Sequence, residues 1–127
     1  MINIDPSTRV FLCSQAIDMR YSFDALAGLV RTHFGMSATC GHLFVFFSRR
    51  HDRMKLLSWD PDGFALYYKR LERGTFSWLD DLNLREGGEM EAADFAIVLA
   101  GVNPVSRTTG RKKNASTPPR VPPLQLV

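Results

Sequence analysis

Between residues 42 and 78 the chain carries Arg49, Arg50, Arg53, Lys55, Lys69, Arg70 and Arg73 against Asp52, Asp60, Asp62 and Glu72. Guanidinium groups are permanently charged and grip phosphate oxygens bidentately, while lysine ammonium groups bind them as point charges. Gathered on one edge, such residues suit a polyanion such as nucleic acid. The same charges also serve a small domain by solvating its hairpin ends and deterring edge pairing. Both readings stand at this level. Lys112 and Lys113 belong to a GRKK run in a Pro-rich stretch, the kind of flexible cationic arm that adds salt-sensitive affinity for nucleic acid. A purely solubilising tail has the same composition.

Catalytic chemistry finds less support. His33, His42 and His51 are scattered, and His51 beside Asp52 in a turn is not a metal site. The chain has no HExxH, P-loop or GxSxG string. Asp18, Asp52 and Asp60 could hold two metals as in nucleases if the fold brought them together, but their spacing does not ask for it. Asp60 and Asp62 flank Pro61, where turn formation accounts for them. Cys13 and Cys40 lack CxxC spacing and are expected to be buried, reduced thiols. No catalytic residue, metal ligand or cofactor is assigned. Asp18 and Arg20 are read as a structural pair, joined to each other or to the cationic hairpin ends so that a helix is fixed onto a sheet. Trp59 and Trp78 are candidate structural or interaction residues.

The elements that must position these groups follow from apolar periodicity. The stretch HLFVFFSRRHDRMKLLSWDPDGFALYYKRLERGTFSW is a series of apolar runs broken by Arg-Arg-His-Asp, Asp-Pro-Asp-Gly and Glu-Arg-Gly. It reads as a β-meander: residues 43–47 as a strand buried on both faces, 54–59 as a second, and 64–69 as a third with two-residue alternation. Antiparallel pairing puts residues 49–55 and 69–73 at the same end, forming one cationic rim. Residues 75–78 are expected as a further edge strand. Ahead of the meander, residues 9–13 form a strand with Val10 and Leu12 on one side and Phe11 and Cys13 on the other. Ser22 stands as N-cap of a helix with apolar Phe23, Leu26, Ala27, Val30 and Phe34, stopped by Gly35. A second helix is expected over residues 89–99, closed by Gly101. The fold class is α+β: a meander of four or five largely antiparallel strands, covered on one face by the first helix, with the second packed nearby.

With 127 residues, 45% of them hydrophobic and 23% charged, the chain is of ordinary globular composition and of a size for one domain, residues 1–103. Residues 104–127 read as a disordered Pro-rich tail. The net charge of +3 is uneven: residues 1–103 are slightly acidic, and the basic excess lies in the tail. Six acids in residues 80–94 suit a helix N-terminus or a patch that docks a basic partner. No apolar run is long enough for a membrane helix and residues 1–8 lack a signal-peptide layout, so the expected location is the cytoplasm.

Several strings carry a resemblance: Asp-Met-Arg at 18–20, Gly-His-Leu-Phe-Val-Phe at 41–46, Arg-Arg-x-Asp-Arg-x-Lys at 49–55, Trp-Asp-x-Asp-Gly-Phe at 59–64 and Tyr-Lys-Arg-Leu-Glu-x-Gly-x-Phe at 68–76. Over about residues 8–101 the chain closely resembles the TnpB (Orf-two-like) accessory proteins of the insertion-sequence sixty-six family. The resemblance implies a part in transposition beside a larger transposase, which carries the acidic catalytic triad, and usually a further small helix-turn-helix protein. It brings no catalytic residues with it. Ile17 and His51 stand where that family commonly has threonine and glycine. Three functions follow as expectations: an accessory factor binding element-end DNA or the transposase through the basic rim; an interaction adaptor using Tyr67, Trp78 and residues 80–94; and a metal-dependent nuclease built on Asp18, Asp52 and Asp60.

Overall fold

The computed structural model describes residues 7–100. Strands β1 (Arg9–Leu12), β2 (Leu43–Phe47), β3 (Arg53–Asp60), β4 (Gly63–Arg70) and β5 (Gly88–Glu91) form one sheet in the order β4-β3-β2-β1-β5. Strands β2, β3 and β4 are the expected meander, antiparallel in register from Phe44↔Leu57 to Asp60↔Gly63. The apolar run of β2 is buried along its whole length, which is why it lacks the polar alternation of a half-exposed strand. The α+β class and the mainly antiparallel sheet hold, with one parallel pair: β1 lies beside β2 in the same direction.

That parallel step needs a crossover, and the first helix supplies it. Helix α1 (Phe23–Leu29) continues into a π-helical turn (Val30–Phe34). Ser22 occupies the N-cap position but its hydroxyl makes no capping bond. Gly35 ends the helix at φ 66, and the amides of Gly35 and Met36 donate to the carbonyls of Arg31 and Val30 at 3.0 and 3.4 Å. Only glycine reaches that left-handed conformation without steric cost.

The two faces of the sheet carry separate cores. Phe11 and Cys13 share one face with Phe44, Phe46, Leu57 and the helix residues Leu26 and Val30, while Val10 and Leu12 share the other with Val45, Phe47, Leu56, Phe95 and Val98. Each fully buried phenylalanine, such as Phe44 and Phe46, contributes about 1.5–3 kcal/mol through burial.

The C-terminal part departs from expectation twice. Residues 75–78 do not form an edge strand. Phe76 and Trp78 do turn inward, against Phe47 at ring distances of 5.7 and 5.9 Å, but the backbone coils from Ser77 into a short helix α2 (Trp78–Asp81). The second helix begins later than expected, as α3 (Ala92–Leu99). Residues Gly88–Glu91 instead form β5, antiparallel to β1, since β1 would otherwise present an unpaired edge. Residues α3 buries, Phe95 and Val98, lie on the face opposite α1. Gly101 and the tail, residues 104–127, lie outside the described residues.

Candidate functional site

The β2–β3 connection is a tight turn. The Ser48 amide donates to the Arg53 carbonyl at 3.0 Å, the Arg53 amide to the Ser48 hydroxyl at 3.2 Å, and that hydroxyl to Asp52 Oδ1 at 3.1 Å. The chain reverses here with His51 at φ 60. A non-glycine residue in that region is strained unless its surroundings hold it. His51 is held: its ring stacks on Phe47 at 5.9 Å, its Nδ1 lies 3.2 Å from Arg85 Nη1, and its carbonyl accepts the Phe76 amide at 2.9 Å. Arg49 and Arg50 sit on the exposed limb of the turn.

Beside the turn, on the α1 face, lies an open concavity of about 560 Å³, lined by Ile17, Met19 and Tyr68 together with Arg20, Arg49, Arg50, Arg53, Asp18, Ser48 and Asp52. Four arginines face two aspartates there, so the hollow is net cationic. Among the described residues, Arg49, Arg50 and Arg53 have no carboxylate partner.

The Asp18–Arg20 pair closes one wall. Arg20 Nη2 donates to Asp18 Oδ2 at 2.7 Å, Nε reaches both carboxylate oxygens at 3.1 Å, and the Arg20 amide donates to Oδ1 at 2.8 Å. These bonds hold the Asp18 carboxyl at about 2, below its ordinary 3.8, and raise the Arg20 guanidinium. The two pair with each other, as expected, and the sheet anchors their loop through a third residue. Lys55 Nζ donates at 2.6 Å to the carbonyls of both Met19 and Tyr21, on either side of Arg20.

The expected cationic set is therefore redistributed. Arg49, Arg50 and Arg53 converge on the concavity. Lys55 does not join them: it is 6% exposed, its ammonium is committed to two carbonyls, and it sits 4.8 Å from the Tyr68 ring centroid. Sequence reasoning counted Lys55 with the rim, because a lysine between apolar Met54 and Leu56 in a strand ordinarily faces solvent, and its partners Met19 and Tyr21 lie more than 30 residues away in sequence. Arg70 is directly opposite Arg53 and bonds Glu72 at 2.9 and 3.0 Å. Lys69 is opposite Met54, hence on the other face of the sheet. Arg73 is exposed in the segment after β4. Lys112 and Lys113 lie outside the described residues.

The aromatic and acidic candidates also move. Trp78 is buried at 8% exposure and Tyr67 packs against the same core, so neither is the exposed adaptor surface expected of it. Trp59 is half-buried, edge-on to Phe64 at 4.9 Å. Tyr68, on the same face of β4 as Phe64 and Leu66, is 48% exposed, whereas those two pack against the core on that face. In the acidic stretch, Asp80 bonds Arg85, which lowers its carboxyl, and Glu89 bonds Arg9.

Asp18 and Asp52 line the concavity, but Asp60 is at the opposite end of β3, against Gly63. The three acids expected of a nuclease are thus not brought together. Among the described residues no group of three or more His, Cys, Asp and Glu could hold a metal ion. Ser14 Oγ lies 3.2 Å from His33 Nε2, with no carboxylate bonded to that ring among the described residues. Cys13 is buried, which pushes its thiol up and leaves it unreactive. Cys40 is exposed, contrary to expectation. No helix among the described residues is long and apolar enough to cross a membrane.

Residues 8–108 match the family described as IS66 Orf2-like protein. Two proteins of Sinorhizobium fredii (strain NBRC 101917 / NGR234) are similar: y4jC, 30% identical over 86% of this chain and 97% of its own length, and y4hO, 31% identical over 81% and 88%. Both are named as uncharacterized. No solved structure matches. The matched region contains the whole sheet, both cores and the concavity, and by it the chain belongs to the IS66 Orf2-like family, whose members are accessory proteins associated with transposition.

Proposed function

We propose that this protein is a non-catalytic accessory factor of transposition that works in the cytoplasm and holds DNA of its element for the transposase. The observation that carries the reading is the end of the sheet where Arg49, Arg50 and Arg53 line an open hollow with no carboxylate partner among the described residues. Guanidinium groups left without internal partners on a rigid turn are pre-organised for phosphates. Lys112 and Lys113 add non-specific phosphate affinity from the tail.

A gel-shift titration of the whole chain on element-end DNA across salt concentrations tests this. Binding at low salt should weaken steeply as salt rises, with a log–log slope of about −0.9 for each phosphate contact. Charge reversal at Arg49 and Arg50 should make that slope shallower. Absence of binding at low salt, or an unaltered slope after reversal, would reject the reading. Contact with the transposase is tested separately, by co-purification with and without nuclease. Recovery only without nuclease means that DNA bridges the two.

A further inference from the structure

We propose that the concavity takes an unpaired nucleotide of a single-stranded nucleic acid, its base stacked on Tyr68 and its flanking phosphates held by Arg49, Arg50 and Arg53. This rests on the nucleic-acid reading above and deepens it, because phosphate contacts alone would suit a duplex equally well.

Three observations point to a base. Tyr68 is 48% exposed, more than any other large hydrophobic residue among those described, and it lines the same hollow as the three arginines. Its ring is held in place rather than free. Lys55 is its direct partner across the β3–β4 pair, with Nζ 4.8 Å from the centroid, and that ammonium is itself fixed by the Met19 and Tyr21 carbonyls. Apolar Ile17 and Met19 share the lining, and carbon surface of that kind contributes nothing to a phosphate but packs against a base. The volume of about 560 Å³ lies within the range of roughly 300–1,000 Å³ usual for small-molecule sites. Asp18 and Asp52 also line the hollow, yet Asp18 is satisfied by Arg20 and Asp52 by the Ser48 hydroxyl. A cationic groove bearing a fixed aromatic face is the arrangement by which single strands are bound without sequence readout. A duplex keeps its base faces stacked inside and cannot use Tyr68 in this way.

The test is fluorescence anisotropy on the whole chain with labelled oligothymidylate, oligouridylate and a duplex of equal length, for wild type, Tyr68→Phe, Tyr68→Leu, Tyr68→Ala and the Arg49→Glu/Arg50→Glu double variant. Thermal melts confirm that each variant is folded. Tyr68→Ala and Tyr68→Leu should each weaken single-strand binding by on the order of tenfold or more while leaving the duplex within about twofold, and Tyr68→Phe should bind as wild type. The tighter of the two single strands identifies whether DNA or RNA is the source. If Tyr68→Ala binds single strands as wild type does while the double arginine variant loses every probe, the nucleic-acid reading stands and the stacking proposal falls. If wild type binds no probe at low salt, both fall.

Discussion

Arg53 and Arg70 stand directly opposite each other across the β3–β4 pair. Like charges in that relationship destabilise a sheet by about 0.2–1 kcal/mol. Glu72 offsets little of this, because its bond to Arg70 joins side chains that are 76% and 59% exposed. The sheet therefore keeps two cations together at some cost to its own stability, which is what a surface awaiting an anion would do.

Arg53→Thr should accordingly raise the melting temperature by about 1–5 °C at low ionic strength and weaken nucleic-acid binding at the same time. Inorganic sulfate should stabilise wild type more than the variant. A variant that melts lower than wild type in low salt would show that Arg53 is structural rather than poised for a ligand.

Lys55→Met should cost about 1–3 kcal/mol, because Met19 and Tyr21 each lose a charged donor. The Tyr21 amide, bonded to the Asp18 carbonyl at 3.0 Å, should then exchange with solvent faster than in wild type. The salt slope of any nucleic-acid binding should not change, in contrast to the arginine variants. Chemical denaturation, amide exchange and a salt titration together separate an internal latch from a phosphate contact.

Asp18 gives a pH dependence of known sign. Its carboxyl titrates at about 2 in the folded chain against an ordinary 3.8, so its contribution is present above the higher value and is lost as pH falls through the lower. Asp18→Asn should be less stable than wild type near neutrality, and the two should converge as the pH approaches about 2. Asp80, lowered by Arg85, acts in the same direction. Denaturation midpoints across that window check it, and a gap that stays constant down to the lowest pH would mean that Asp18 acts through packing and not through charge.

His51 offers a comparison between two substitutions. His51→Ala keeps φ 60 while losing the Phe47 stack and the Arg85 contact, whereas His51→Gly loses the same contacts and relieves the backbone. The glycine variant should therefore be more stable than the alanine variant by about 1 kcal/mol. Equal stability of the two would indicate that the turn relaxes out of the left-handed region when the ring is removed.

How far the sequence discloses this structure depends on the range of each interaction. The alternation of Val10 and Leu12 against Phe11 and Cys13 is a local pattern and maps directly onto the two cores. The Pro61-Asp62-Gly63 turn sets the β3–β4 register, and with it the shared end of Arg53 and Arg70. What local pattern does not carry is the place of β1 between β2 and β5, since Gly-Glu-Met-Glu has no strand character until β1 offers it an edge. Acids at 89 and 91 suggest a helix start, and the ladder with β1 overrides that preference. The burial of Lys55 escapes local pattern for a related reason. Alternation places it on the α1 face, but the Met19 and Tyr21 carbonyls that take up its ammonium are not in any window of sequence around it.

The interior position of β1, between β2 and β5, has a consequence for how the chain comes into being. Its first strand is flanked on one side by β2 and on the other by β5, with Arg9 bonded to Glu89 across 80 residues of sequence. During synthesis β1 and the β2–β4 hairpins can assemble while one border of β1 stays open, and that border is closed only when β5 emerges. Pairings this distant slow folding, and until they form they leave a sticky margin available to other nascent chains.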